Sequence, residues 1–189
     1  MGSLSGKVAI VTGAGQGVGQ GIALALASEG AAIAVLGRTR SKLAATCELI
    51  RERGARAEAF TCDVADTEAI PGLVERIAET FGGIDILVNN AYSGSYGPLL
   101  KMDDSEFQKG FVTGPFAAFA FMKACHPHMK ARGGGSIVNL VTSAMVRWDQ
   151  STYGAYAAAK QALRSLTRTA AAEWGPDGIR ANNIAPHAL

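Results

Sequence analysis

The chain has 189 residues, of which 48% are hydrophobic and 18% charged, and its 18 basic and 16 acidic side chains leave a formal net charge of +2 at pH 7. This composition excludes a disordered chain and a polybasic nucleic-acid-binding arm, and the length suits one domain whose core needs no disulfide or metal. The three cysteines form no CxxC pair, so we expect reduced thiols, no metal site and a cytoplasmic location.

Short apolar runs rich in β-branched residues alternate along the chain with longer amphipathic segments. The runs predict strands near residues 7–12, 31–36, 56–61, 84–89, 136–141 and 179–184. The amphipathic segments predict helices near 18–29, 40–53, 67–80, 104–130 and 153–174. This alternation favours an α/β fold: a Rossmann-type doubly wound parallel sheet in three α/β/α layers, forming one domain over residues 1–189. We expect the candidate residues below to lie at the carboxyl edge of that sheet.

The first predicted strand runs directly into a glycine-rich turn that carries Gly13, Gly15, Gly17 and Gly19. Glycines let the backbone approach a pyrophosphate, which then meets the free N–H groups at the start of the next helix. The turn therefore predicts a dinucleotide site, although an ordinary tight turn stays open on this motif alone. The same glycines interrupt the uncharged stretch 8–28, so we expect no membrane span there.

The chain after the second predicted strand carries arginines where a dinucleotide site often carries an acidic residue. Residues 35–40 read VLGRTR and contain no carboxylate. An acidic residue at this point would bind the ribose 2′-hydroxyl of NAD, whereas a guanidinium donates paired hydrogen bonds to a 2′-phosphate. We predict NADP(H) as the preferred cofactor, with Arg38 contacting it and NAD(H) as a permitted one. The alternative is that Arg38 and Arg40 belong to a solvated loop.

Five motifs at the ends of the predicted strands and in the last predicted helix occur in the order of one enzyme family. They are Thr12-Gly13 with Gly17 and Gly19, Asp63-Val64, Asn89-Asn90-Ala91, Ser143, and Tyr156 with Lys160. On these motifs the chain resembles the short-chain dehydrogenase/reductases, including their 3-oxoacyl reductase-like branch, along nearly its whole length. The resemblance implies that Ser143, Tyr156 and Lys160 are catalytic.

The glycine-rich turn, the second strand and the resemblance together predict the residues that bind the cofactor. The resemblance implies that Asp63 and Val64 contact the adenine and that Asn90 and Ala91 support the cofactor pocket. The full predicted set is Gly13, Gln16, Gly17, Val18, Gly19, Arg38, Asp63, Val64, Asn90, Ala91, Tyr156, Lys160 and Pro186.

The predicted catalytic residues suit the reduction of a ketone, which needs a proton donor for the carbonyl oxygen. Lys160 stands four residues after Tyr156 on one helical face, so its ammonium is expected to lower the pKa of the tyrosine. Ser143 would polarise the carbonyl, and Thr142 replaces it if the fifth strand is one residue longer. The alternative for Tyr156 and Lys160 is a buried aromatic residue beside a surface lysine.

The sequence departs from the family pattern in the region after the fourth strand. The run 107–116 lacks the catalytic asparagine of many family members, and its Gly110, Gly114 and Pro115 predict a weakened or kinked helix. Tyr92 stands where the family usually has glycine. We expect Tyr92, Ser93 or Tyr96 to line the substrate side.

The family usually continues beyond the motif matched by Ala185-Pro186, and His187 replaces the glycine expected after that proline. We therefore expect a fold that lacks the usual C-terminal strand and substrate lid. Either the sequence is a fragment or the rest of the chain is not represented in it, and the remaining alternative is a natural chain of 189 residues.

The predicted function is that of an NADP(H)-dependent oxidoreductase that interconverts a carbonyl and a secondary alcohol by hydride transfer. Met145, Val146 and Trp148 favour a hydrophobic ketone or acyl substrate, such as an oxoacyl group. We expect a small-molecule substrate, a homodimer or homotetramer, and neither a nucleic-acid nor a membrane partner. The alternative is a non-catalytic NAD(P)-binding redox sensor or scaffold, which the missing asparagine favours.

Overall fold

The computed structural model describes residues 2–147 and 151–186, so that Trp148 and His187 lie outside the described residues. The strands are β1 Val8–Thr12, β2 Ala32–Gly37, β3 Ala57–Thr61, β4 Ile86–Asn89, β5 Gly135–Leu140 and β6 Ile179–Ile184. The helices are α1 Gly17–Ser28, α2 Arg40–Arg51, α3 Ile70–Phe81, α4 Asp104–Phe111, α5 Ala117–Ala131 and α6 Gly154–Trp174. Short 3₁₀ turns cover Leu99–Lys101, Ser143–Val146 and Gly175–Asp177.

The six strands form one parallel sheet in the order β3-β2-β1-β4-β5-β6. The chain runs outward from β1 to β3 and then returns, so that β4 pairs with β1 on its other side. The strand order thus reverses between β1 and β4, which is where an open parallel sheet leaves a crevice at its carboxyl edge. The predicted α/β doubly wound fold is confirmed.

The central strand β1 is buried on both faces, which explains its uninterrupted apolar sequence. Because successive side chains point to opposite faces, Ala9 and Val11 pack with α1 and α2, whereas Ile10 packs with α3 and α5. The edge strand β3 is largely exposed in contrast to β1: Ala57 is buried, but Glu58 next to it is exposed. The sheet therefore lies between two helical layers, each with its own apolar core.

The helical stretch predicted over residues 104–130 is broken in the structure. A π-helical turn, Val112–Phe116, joins α4 to α5, and Gly114 inside it has non-helical backbone angles (φ −97°, ψ −105°). Pro115 has no N–H to donate to the preceding turn, which contributes to the break. The kink predicted from Gly114 and Pro115 is therefore present.

Two further features concern membranes and metals. Of the helices within residues 2–147 and 151–186, none has the length and apolarity that a bilayer crossing requires. Over the same ranges, no three His, Cys, Asp or Glu side chains meet in a metal-binding arrangement. His126 Nε2 instead lies 2.9 Å from Asp177 Oδ2, and His128 Nε2 lies 3.2 Å from Glu75 Oε2.

A buried carboxylate, that of Asp85, connects three segments of the chain by hydrogen bonds at the opposite, amino edge of the sheet. Asp85 is 3% exposed and accepts hydrogen bonds from Lys7 Nζ (3.0 Å), Val8 N (2.9 Å) and Arg132 Nη2 (2.9 Å). Burial raises the pKa of this carboxyl, but the hydrogen bonds from Arg132, Val8 and Lys7 outweigh burial and leave the pKa below its ordinary value.

Replacing Asp85 by asparagine should lower the free energy of unfolding at pH 7 by about 3 kcal/mol, because Arg132 and Lys7 lose their buried partner. Urea unfolding measures this. The carboxylate's contribution is present above its unfolded pKa of about 3.9 and is lost as pH falls through the lower folded pKa, so the difference from the native chain should shrink in acid. The control Glu48→Gln removes an exposed pair with Arg51 and should cost less than about 0.5 kcal/mol. Equal losses in the two variants at pH 7 would contradict this account of Asp85.

Candidate active site

A cavity of about 430 Å³ opens at the carboxyl edge of the sheet, where the strand order reverses. The ends of β1, β2, β3 and β4 all contribute to its wall. Ten of the residues predicted to bind the cofactor line it: Gly13, Gln16, Gly17, Val18, Gly19, Arg38, Asp63, Val64, Asn90 and Ala91. Tyr156, Lys160 and Pro186 are not among its lining residues; Tyr92 lines the cavity and contacts both Tyr156 and Lys160.

The glycine-rich turn requires glycine at three of its positions, either for the backbone conformation or for lack of space. Gly13 has a positive φ of 66°, and Gly17 has one of 57°, which other residues rarely adopt. A Cβ atom at Gly19 would overlap the carbonyl oxygen of Gly13 and lie 2.5 Å from Asn90 Nδ2. The turn leads into α1, whose N-cap residue Gln16 makes no capping side-chain hydrogen bond. The first N–H groups of α1 can therefore bind an anion.

Thr12 and Asn90 fix this turn to the end of β4. Thr12 Oγ1 accepts hydrogen bonds from the backbone N–H groups of Asn90 (2.9 Å) and Ala91 (3.0 Å). In return, Asn90 Nδ2 donates to the carbonyl oxygen of Thr12 at 2.9 Å. The two motifs that the sequence places after β1 and β4 are thus one hydrogen-bonded unit in the wall of the cavity.

Two cations lie in the cavity wall beyond β2. Arg38 is exposed, and no hydrogen bond or ion pair to its guanidinium is found within the described part of the chain. Lys42 lies in the first turn of α2 and donates a hydrogen bond from its ammonium to Gln16 Oε1. The sequence analysis missed Lys42, although its position two residues beyond Arg40 was a usable signal. Arg40 itself is not among the described residues that line the cavity.

Asp63 and Val64 line the cavity from the loop after β3. Asp63 Oδ1 accepts a hydrogen bond from the backbone N–H of Ala65 at 3.0 Å, which fixes the loop in an Asx turn. The Asp63 side chain is exposed, and it follows β3, whereas Arg38 follows β2. The wall therefore carries basic groups near β2 and one acidic group near β3.

Lys160 is buried beside Tyr156 on α6. It is 3% exposed, and its Nζ donates a 2.6 Å hydrogen bond to the carbonyl oxygen of Leu140, the last residue of β5. The same Nζ lies 5.8 Å from the centre of the Tyr156 ring. Burial lowers the pKa of Lys160 to about 8. The alternative of a surface lysine is therefore wrong, because the ammonium lies inside the protein.

The pKa of Tyr156 departs from the sequence-based expectation. Burial raises it, the hydroxyl of Thr142 lowers it by hydrogen bonding, and the nearby Tyr153 raises it further, so that the pKa lies above its ordinary value. The expected net lowering of this pKa is wrong for the described structure, because burial outweighs the groups that favour the phenolate, and the Lys160 ammonium donates its hydrogen bond to the Leu140 carbonyl. The buried phenol loses more hydration than its neighbours restore.

Thr142 and Ser143 both follow β5 next to this pair. Thr142 is buried and accepts a hydrogen bond from the N–H of Ala144 at 3.2 Å, and its hydroxyl lies close enough to Tyr156 to lower the pKa of that phenol. Ser143 is partly buried, and its backbone N–H donates to the carbonyl oxygen of Pro186 at 3.4 Å. The structure thus places Thr142, the alternative to Ser143, near Tyr156.

All four tyrosines of the chain meet at this place. Ring centres lie 5.0 Å apart for Tyr92 and Tyr156, 5.2 Å for Tyr96 and Tyr156, and 5.0 Å for Tyr96 and Tyr153. Burial raises the pKa of Tyr92 to about 12, so this phenol stays neutral near pH 7. The sequence placed Tyr92 and Tyr96 near the substrate but gave no sign that these rings pack on Tyr156.

Comparisons with known proteins agree with this architecture. A family model described as short chain dehydrogenase matches residues 7–189. The 12alpha-hydroxysteroid dehydrogenase of Clostridium sp. is 37% identical over an aligned length of 197 residues. The alignment covers 100% of this chain and 75% of that protein. The crystal structure of NAD⁺-bound xylitol dehydrogenase is 37% identical, with a TM-score of 0.93 over 98% of this chain and 71% of that one. Carveol dehydrogenase from Mycobacterium avium, in complex with NAD, is 33% identical, with a TM-score of 0.93 over 98% of this chain and 72% of that one.

Proposed function

Because the chain belongs to the short-chain dehydrogenase family, whose members are oxidoreductases acting on CH–OH groups, we propose that it is an NADP(H)-preferring enzyme that interconverts a carbonyl and a secondary alcohol. In this proposal Tyr156 is the acid–base group, Lys160 stabilises its charged form, and Ser143 or Thr142 donates a hydrogen bond to the carbonyl oxygen. Apolar Met145 and Val146 after β5 favour a hydrophobic substrate.

One observation carries the proposal: a buried ammonium and a partly buried phenol lie on α6 beside the cavity that the glycine-rich turn lines. Tyr92 bridges the two places, since it lines the cavity and its ring centre lies 5.0 Å from that of Tyr156. The cavity itself suits a dinucleotide, because Gly13 and Gly17 line it next to the start of α1, where the first N–H groups can bind a phosphate. A bound nicotinamide supplies or accepts the hydride.

Residues of the chain supply the proton that the substrate oxygen needs. Tyr156 Oη gives a proton to the substrate oxygen during reduction and regains it from solvent, and its high pKa keeps it protonated before the step. The phenolate that forms lies near the Lys160 ammonium, in a buried place where charge interactions are strong. A hydroxyl at Thr142 or Ser143 stabilises the same developing negative charge.

The proposed preference for NADP(H) rests on Arg38 and Lys42, which line the cavity with no carboxylate at the end of β2. Arg38→Ala should raise the Kd of NADPH about ten- to a hundredfold and that of NADH less than about twofold, because only NADPH carries the 2′-phosphate. Calorimetric titration of both nucleotides measures this.

Arg40→Ala is the matched control for this titration, since it removes an exposed arginine two residues away that does not line the described cavity. It should change the Kd of NADPH less than about threefold. Tighter binding of NADH than of NADPH by the native chain would contradict the proposed preference and leave the oxidoreductase activity standing. A screen of apolar ketones with the preferred nucleotide then tests the reaction, and binding without turnover would favour the sensor alternative.

A further inference from the structure

Tyr92 occupies a place that connects the cavity to both members of the α6 pair. Its ring centre lies 4.8 Å from Lys160 Nζ, closer than the 5.8 Å from that Nζ to the centre of the Tyr156 ring. The edge of one ring meets the face of the other between Tyr92 and Tyr156, at an interplanar angle of 64°. A cation over an aromatic face and an edge-to-face ring pair are both attractive contacts.

Glycines provide the space that this ring fills. A Cβ atom at Gly110, inside α4, would lie 2.8 Å from Tyr92 Oη. A Cβ atom at Gly114, in the π-helical turn, would lie 3.4 Å from two carbons of the same ring. The unusual glycines and the kink of this segment therefore have a shared explanation, since they make room for Tyr92.

The Lys160 ammonium contacts a backbone carbonyl and two aromatic rings. Its Nζ donates to the Leu140 carbonyl and lies 4.8 Å from the centre of the Tyr92 ring and 5.8 Å from the centre of the Tyr156 ring. Within residues 2–147 and 151–186, no carboxylate forms an ion pair with it. The aromatic face of Tyr92 therefore adds electrostatic support to this buried ammonium, beside the Leu140 carbonyl.

We propose that Tyr92 is a positioning residue, whose ring face holds the Lys160 ammonium and which packs edge to face with the Tyr156 ring, in the space left by Gly110 and Gly114. The inference rests on the proposed function for its effect on catalysis. The contact between Tyr92 and Lys160 is a property of the fold and can be measured separately.

The first test compares Tyr92→Leu with Tyr92→Phe, which keeps the ring and removes only the hydroxyl. Tyr92→Leu should lower kcat for carbonyl reduction about tenfold or more, while Tyr92→Phe should keep kcat within about threefold. Unchanged kcat in Tyr92→Leu, or an equal loss in both variants, would overturn the proposal.

The second test uses Gly110, one of the two glycines that leave space for the Tyr92 ring. Gly110→Ala places a methyl group against Tyr92 Oη and should lower kcat, although alanine favours the helix that contains it. Adding Tyr92→Phe removes that oxygen and should restore activity in the double variant. Gly72→Ala in α3 is the matched control, because its Cβ would meet only Arg76, at 4.0 Å. A double variant no more active than Gly110→Ala would count against the proposal.

A third readout does not depend on turnover. The Lys160 pKa, followed by NMR of ¹³Cε-labelled lysine, should fall by about one unit in Tyr92→Leu, because the charged form loses the ring face, and should stay unchanged in Tyr92→Phe. This result in a chain that reduces no carbonyl would sustain the inference and refute the proposed function. An unchanged pKa in Tyr92→Leu would refute the inference alone.

Discussion

Replacing Tyr156 by phenylalanine is expected to lower kcat/KM for carbonyl reduction by about 10²- to 10⁴-fold, because the variant has no proton to give to the substrate oxygen. The ring stays in place, so its contacts with Tyr92 and Tyr96 should persist. Tyr156 does not line the described dinucleotide cavity, and the Kd of NADPH should therefore change less than about threefold. Steady-state kinetics and calorimetric titration of the same preparation measure both quantities.

Tyr153→Phe is the matched control, since it removes a phenolic hydroxyl from the same tyrosine cluster. We expect it to lower kcat/KM less than about fivefold, because proton transfer is assigned to Tyr156. Equal losses in the two variants would show that the cluster, and not one hydroxyl, is responsible for the activity. A Tyr156→Phe enzyme with native kcat would refute its role as acid–base group.

Replacing Lys160 by methionine is expected to lower kcat by about 10²- to 10³-fold, because the phenolate formed on Tyr156 loses the buried positive charge beside it. The fold should survive the change. Burial lowers the folded pKa of Lys160 below its unfolded value, so its charge opposes folding at pH 7. Methionine removes that cost and leaves the Leu140 carbonyl without its partner, and we expect a net change in unfolding free energy within about 2 kcal/mol.

The pH dependence of carbonyl reduction tests the same role of the Lys160 charge. Lys160 carries its charge below a pKa of about 8, so kcat/KM of the native chain should decrease as pH rises through that value. Lys160→Met should lose this decrease and show a flat profile in the same range. A decrease that persists in the variant would assign it to another group.

Local sequence carried enough information to predict the sheet and the cavity wall. β1 is apolar at every position because both of its faces are covered, and the turn after it must be glycine because Gly19 packs against Gly13 and Asn90. These constraints act between residues that are adjacent in sequence or lie at the ends of neighbouring strands. They therefore leave a pattern that the sequence alone displays.

The electrostatics of the site could not be predicted in the same way. The spacing of Tyr156 and Lys160 places them on one helical face, but it does not show that Nζ turns to the Leu140 carbonyl or that Tyr92 covers it. These partners lie outside α6, at the end of β5 and after β4, and Tyr92 also packs against Gly114 in the π-helical turn. The pKa of Tyr156 is raised mainly because the phenol is buried, and the spacing of Tyr156 and Lys160 does not predict that burial.

Transfer of deuterium from the nicotinamide to substrate carbon tests the central claim most directly. NADPH carrying deuterium at the transferred position is incubated with the native chain and an apolar ketone, and the alcohol is analysed by mass spectrometry and NMR. The account predicts an alcohol with one deuterium on its carbinol carbon, and loss of this product in Tyr156→Phe. Tight binding of NADPH with no deuterium transferred to any ketone that the chain binds would contradict it and identify a nucleotide-binding protein without this catalysis.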